Sequence, residues 1–171
     1  MRTFGRTHAA LALGILGLCG AGWLHGQQAA KPVNVDGKLL RNAGSVASDA
    51  LPGSWVSYGR NQGETRYSTL KEINDTNAKR LGLAWTYAAG AGGGNQEGTP
   101  LMWNNTLYGI TTWSVVYALD ARTGKELWRW DPEVNQTAVR PKICCGIVNR
   151  GVALYNGTII APINEIGRAH V

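Results

Sequence analysis

Residues 118–128 read Ala-Leu-Asp-Ala-Arg-Thr-Gly-Lys-Glu-Leu-Trp, and this stretch decides the fold. Asp120-Ala-Arg-Thr-Gly124 is a turn: an aspartate can hydrogen-bond the backbone that follows it, and glycine accepts positive φ. On either side lie strand-forming runs, 115–119 and 125–130, rich in β-branched and aromatic residues. Upstream, Asn104-Asn105 makes a second turn, since asparagine tolerates the left-handed conformation. It separates strands expected at 100–103 and 106–111. Four short strands therefore follow in order, with no amphipathic helix between them.

The unit has an echo. Leu81-Gly-Leu-Ala-Trp85-Thr-Tyr87 is similar to Lys125-Glu-Leu-Trp128-Arg-Trp130, and Trp85 and Trp128 stand 43 residues apart. Asn105-Thr-Leu-Tyr108 is echoed by Gly157-Thr-Ile-Ile160 at a spacing of 52. Periods in the forties fit a four-stranded propeller blade. The two spacings differ by nine, which places an insertion in one copy. That insertion holds the adjacent Cys144 and Cys145, and loops are where binding chemistry gathers.

Composition agrees. The 171 residues include 23 Gly and 7 Trp but a single Phe. Glycine at this density opposes a helical bundle, because each interior Gly costs a helix roughly 1 kcal/mol relative to Ala. Hydrophobic residues at 44% supply a core, which argues against wholesale disorder. The net charge of +6 is spread without a Lys/Arg block, so nucleic-acid binding is not favoured.

Residues 1–30 have the pattern of a secretory signal: Arg2 and Arg6, then an apolar run over 9–24, with small residues at Gly26 and Ala30 for cleavage. Four glycines make that run a poor permanent span, so no stable membrane anchor is expected after cleavage. Cys19 leaves with the leader. An exported chain permits a disulfide between Cys144 and Cys145. Neighbouring Cα atoms lie about 3.8 Å apart, below the usual disulfide range of about 4.4–6.8 Å, so such a ring is strained. Two unconnected buried thiols are the other reading. No nearby Cys or His completes a zinc site. Residues 31–53 read as a linker or extended arm. Gly90 to Gly94 lacks the lysine and following helix of a phosphate loop and reads as a connection. Thr111, Thr112 and Trp113 read as strand and turn packing.

The 118–128 stretch resembles the tryptophan-docking motif of the quinoprotein dehydrogenases. Trp55-Val-Ser-Tyr-Gly-Arg-Asn-Gln-Gly-Glu-Thr-Arg-Tyr-Ser68 is similar to that family's opening segment. Gln96-Glu-Gly-Thr-Pro-Leu101 and Cys144-Cys-Gly-Ile-Val-Asn-Arg-Gly-Val-Ala153 are similar to its cofactor-side segments. The resemblance runs over 54–164, and the adjacent cysteines point to the methanol/ethanol-type alcohol dehydrogenase branch. Gly146 stands where family members usually carry aspartate.

The resemblance implies an all-β fold, an eight-bladed β-propeller, of which this chain holds only the first blades. Eight blades of that period need roughly 350 residues. It implies structural docking through Trp85, Asp120, Gly124 and Trp128, with each docking Trp packed on a glycine turn of a neighbouring blade. It implies pyrroloquinoline quinone (PQQ) as cofactor, with Cys144 and Cys145 as a vicinal disulfide against one ring face. Arg150 and Glu97 match cofactor-contacting positions; a guanidinium fork suits the carboxylates of PQQ. The implied reaction is oxidation of a primary alcohol to an aldehyde by hydride transfer to the quinone. A calcium or lanthanide ion acts as Lewis acid and an aspartate as base. The metal ligands and the base are expected outside this chain, so no catalytic residue is named. A cytochrome c-type acceptor, a periplasmic location and room for a C-terminal haem c domain follow from the same likeness. Residues 165–171 back-translate to a common sequencing-library adapter and are expected to be read-through, with no function for His170. Two other classes use parts of this pattern. A non-catalytic exported propeller scaffold has no need of paired cysteines and Arg150 in one loop. A small secreted disulfide module cannot staple 140 residues with one local bridge.

Overall fold

Asn104 and Asn105 both take positive φ, 46° and 61°, and close a two-residue hairpin. Such left-handed pairs match the twist of the flanking strands. In the computed structural model, β1 (Leu101–Trp103) and β2 (Thr106–Ile110) flank this turn, and β3 (Val116–Asp120) and β4 (Glu126–Trp130) follow. All four are antiparallel in the order β1-β2-β3-β4. The described residues are 34–44, 53–90, 95–144, 146–163 and, for the backbone alone, 168–170. They lie within one unit, Pro32–Val171. The leader expected over 1–30 lies outside them, as do Cys145 and residues 164–167 and 171.

A second sheet repeats the hairpin. Asn156 and Gly157, at φ 47° and 76°, join β5 (Ala153–Tyr155) to β6 (Thr158–Pro162). Thr106 pairs with Trp103, and Thr158 with Tyr155, so the two hairpins that echo at 52 residues occupy equivalent places. The backbone of β7 (Arg168–His170) pairs with β6. Among the described residues, no helix is long and apolar enough to cross a membrane.

The Asp120 turn is held from within. The Asp120 carboxylate accepts from the backbone of Thr123 (2.9 Å) and Arg122 (3.0 Å) and from the Thr123 hydroxyl. These bonds, Thr123's first, hold its carboxyl below the ordinary range. The turn ends at Gly124, φ +70°, whose N–H donates to the Asp120 carbonyl. The Trp85 ring covers Gly124 so closely that a Cβ there would stand 2.5 Å from its carbons. Trp85 Nε1 donates to the Ala121 carbonyl at 3.3 Å. Trp85 thus binds a turn 36 residues downstream by stacking and a hydrogen bond together. A polar clasp lies beside it. The Tyr87 hydroxyl donates to Glu126, and Arg129 donates to Glu126 (3.2 Å) and to the Ala89 carbonyl (3.2 Å).

Segment 81–87 differs from its echo in one respect. Among the described residues it pairs with no strand, whereas 126–130 is β4. It holds the Asp120 turn through the Trp85 side chain, not through a backbone ladder. In β4 a bulge opposite Ala118/Leu119 lets Trp128 face Ala118 and Glu126 face Leu119, and turns Leu127 out to solvent.

The core lies between the two sheets. Leu101, Trp103, Ile110 and Val116 meet Leu154, Ile159 and Ala161 from the second sheet, with Val35 and Val56 added. β3 is buried on both faces, Val116 and Ala118 completely. The segment read as a linker carries a short helix, α1 (Gly37–Asn42), capped by Asp36 through Leu39 N–H at 2.7 Å. Buried Val35 and its carbonyl, which accepts from Asn156 N–H, fix this arm to the second hairpin. The free edge of β1 is covered by Trp55, which exchanges two backbone bonds with Met102.

Candidate functional site

The segments that lead into β1 and β5 run side by side. Thr99 N–H donates to the Arg150 carbonyl at 3.2 Å. This juxtaposition brings together two side chains 53 positions apart: Arg150 Nε lies 3.4 Å from Glu97 Oε2. The Arg150 side chain is 84% exposed and that of Glu97 40%, so the pair contributes little to stability. Among the described residues, the terminal guanidinium nitrogens have no hydrogen-bond partner. They are a planar, permanently charged fork held by one weak ion pair and open to an anion. Val152, Tyr58 and Thr99 line a cavity of about 210 Å³ beside Arg150.

The insertion between β4 and β5 carries Cys144, which does not line the cavity beside Arg150. The insertion folds over a small core of its own, in which Trp113, Val134, Val139 and Ile147 pack together. A single-turn helix, α2 (Gln136–Val139), is capped by Asn135 and continues into a 3₁₀ turn at Arg140–Lys142. The Arg140 guanidinium lies 5.5 Å from the Trp113 ring centre. Trp113 is therefore packing, as its sequence context implied, although it packs the loop rather than a strand. Cys144 follows this turn and is exposed, and Gly146 has open space where a side chain would stand. The expected Cys144–Cys145 bridge rests on Cys145, which lies outside the described residues.

Sequence reasoning missed Asn149. It is 4% exposed, immediately before the exposed Arg150, and bonds Ser114, Pro162 and Gly151. Its distant partners left no local signal. Trp128 lies elsewhere, 6.4 Å from the Tyr108 ring, in a cleft of about 610 Å³ between the two sheets. That cleft is larger, but it holds none of Glu97, Cys144 or Arg150. Among the described residues no three His, Cys, Asp or Glu side chains gather as a metal site.

Residues 55–165 match the family described as "PQQ: Glucose/ethanol/alcohol dehydrogenase, beta-propeller domain". The chain belongs to this family. It is 44% identical over 132 residues to the quinohemoprotein alcohol dehydrogenase ADH-IIG of Pseudomonas putida, covering 77% of this chain and 17% of that protein. It is also 44% identical, over 115 residues, to the 1-butanol dehydrogenase (cytochrome c) of Thauera butanivorans, covering 67% and 16%. The solved quinohemoprotein alcohol dehydrogenase from Pseudomonas putida HK5 superposes with a TM-score of 0.68 at 42% identity, covering 77% of this chain and 18% of that one. The chain thus spans under a fifth of these relatives' length. The two sheets are blades of a PQQ-dehydrogenase β-propeller, only part of which is present here.

Proposed function

We propose that this chain is the N-terminal part of an exported, PQQ-dependent alcohol dehydrogenase that converts primary alcohols to aldehydes in the periplasm. The observation that carries the reading is the exposed Arg150 fork, paired to Glu97 across the segments that lead into β1 and β5. The Arg150–Glu97 pair fits PQQ: a charged fork for a carboxylate, and a carboxylate that orients the fork. When bound, PQQ supplies a two-electron acceptor for the alcohol. Arg150 holds one of its carboxylates bidentately. Glu97 aligns Arg150 and accepts a hydrogen bond at the cofactor edge. Cys144 and Cys145 would help to hold the quinone, since polarizable sulfur suits a flat π-system. Trp85, Asp120 and Gly124 lock one blade to the next, and Trp128 plays the part of Trp85 for a following blade. The calcium or lanthanide ligands and the base that takes the hydroxyl proton lie beyond this chain. A cytochrome c is the electron acceptor.

Alcohol-dependent reduction of an artificial acceptor dye tests the proposal on the full-length gene product. Turnover should require added PQQ and metal and should rise with primary alcohols. Residues 31–171 alone should show none. An inactive full-length protein after loading, or turnover by 31–171, would overturn the reading.

A further inference from the structure

We infer that Asn149 is a positioning residue for PQQ binding, acting through Arg150; this rests on the PQQ reading above. Its side-chain amide has one admissible orientation. Nδ2 lies 2.7 Å from the Pro162 carbonyl, which can only accept, so the NH₂ faces it. Oδ1 accepts from Gly151 N–H at 3.3 Å, which can only donate. The second Nδ2 proton reaches the Ser114 hydroxyl at 3.2 Å. One buried amide thereby joins the end of β6, the β2–β3 loop and the residue after Arg150.

The consequence falls on Arg150. Asn149 and Gly151 are fixed on either side of it, and its own carbonyl is held by Thr99 N–H. Thr99 lies two residues from Glu97, so the same clamp sets the spacing of the Glu97–Arg150 pair. A long side chain on a fixed backbone starts from fewer arrangements than one on a loose loop, so less is lost when it closes on an anion. Asn149 itself is buried and does not reach a ligand on the exposed face. Its effect must pass through Arg150.

Equilibrium titration of PQQ into the full-length gene product tests this, with Asn149→Ala, Arg150→Ala and the double variant, and thermal unfolding of each. Asn149→Ala should weaken PQQ binding about three- to tenfold, the ordering cost of one long side chain. In the Arg150→Ala background the same change should alter affinity by less than about twofold. Equal losses in both backgrounds, or no loss in either, would overturn the inference. Should Arg150→Ala bind PQQ as the wild type does, Arg150's role in the proposed site fails, and the inference with it. Should Asn149→Ala fail to fold, Ser114→Ala removes one arm of the amide. It should give a smaller loss that vanishes in the Arg150→Ala background, and an undiminished loss there would overturn the inference.

Discussion

Gly124→Ala in the full-length gene product should lower its stability by ~2–5 kcal/mol. The left-handed backbone accounts for roughly 1–2 kcal/mol. Overpacking against Trp85 adds roughly 1–3 kcal/mol, because a Cβ would sit 2.5 Å from the ring. Trp85 must withdraw, and its bond to the Ala121 carbonyl goes with it. Gly157→Ala is the control. Its φ of +76° is almost the same, but the nearest atom to its added Cβ would be Asn34 Oδ1 at 3.6 Å. It should show the backbone cost alone. The difference between the two, read by chemical unfolding, measures the contact between Trp85 and the Asp120–Gly124 turn. Equal losses would mean that Trp85 contributes nothing through this turn.

Arg150→Ala should weaken PQQ binding about 10- to 100-fold, from the worth of one charge-assisted hydrogen-bond pair. Stability should stay within about 0.5 kcal/mol of wild type, as for other exposed substitutions. Arg150→Lys should recover only part of the affinity, because an ammonium is a point charge without the fork. Full recovery by lysine would mean that simple charge, not bidentate geometry, is what the site uses.

The blade from Leu101 to Trp130 was legible because its turns carry their own chemistry. Asn104-Asn105 and Asp120 to Gly124 each announce the conformation they adopt. The strand ends moved by a residue: Asp120 closes its turn and still pairs with Thr106 in the ladder. Segment 81–87 was recognised by likeness to β4, yet among the described residues it pairs with no strand and instead holds the Asp120 turn through Trp85. The helix at Gly37–Asn42 was hidden because six residues are too short to show a period. At the site, Glu97 and Arg150 were placed by resemblance alone, since nothing local links positions 53 apart; their contact is a property of the folded chain. Asn149 went unseen because Ser114 and Pro162 lie 35 and 13 residues away.

The claim on which the account turns is the proposal that Glu97, Arg150, Cys144 and Cys145 together make the seat of the quinone. Titrating PQQ into the full-length gene product, as wild type, as Cys144→Ala and after treatment with reductant, tests it most directly. Wild type should bind one PQQ per chain, and both perturbations should weaken binding by about two- to tenfold, the range expected for sulfur against an aromatic ring. Identical binding in all three, or none in the wild type, would contradict it.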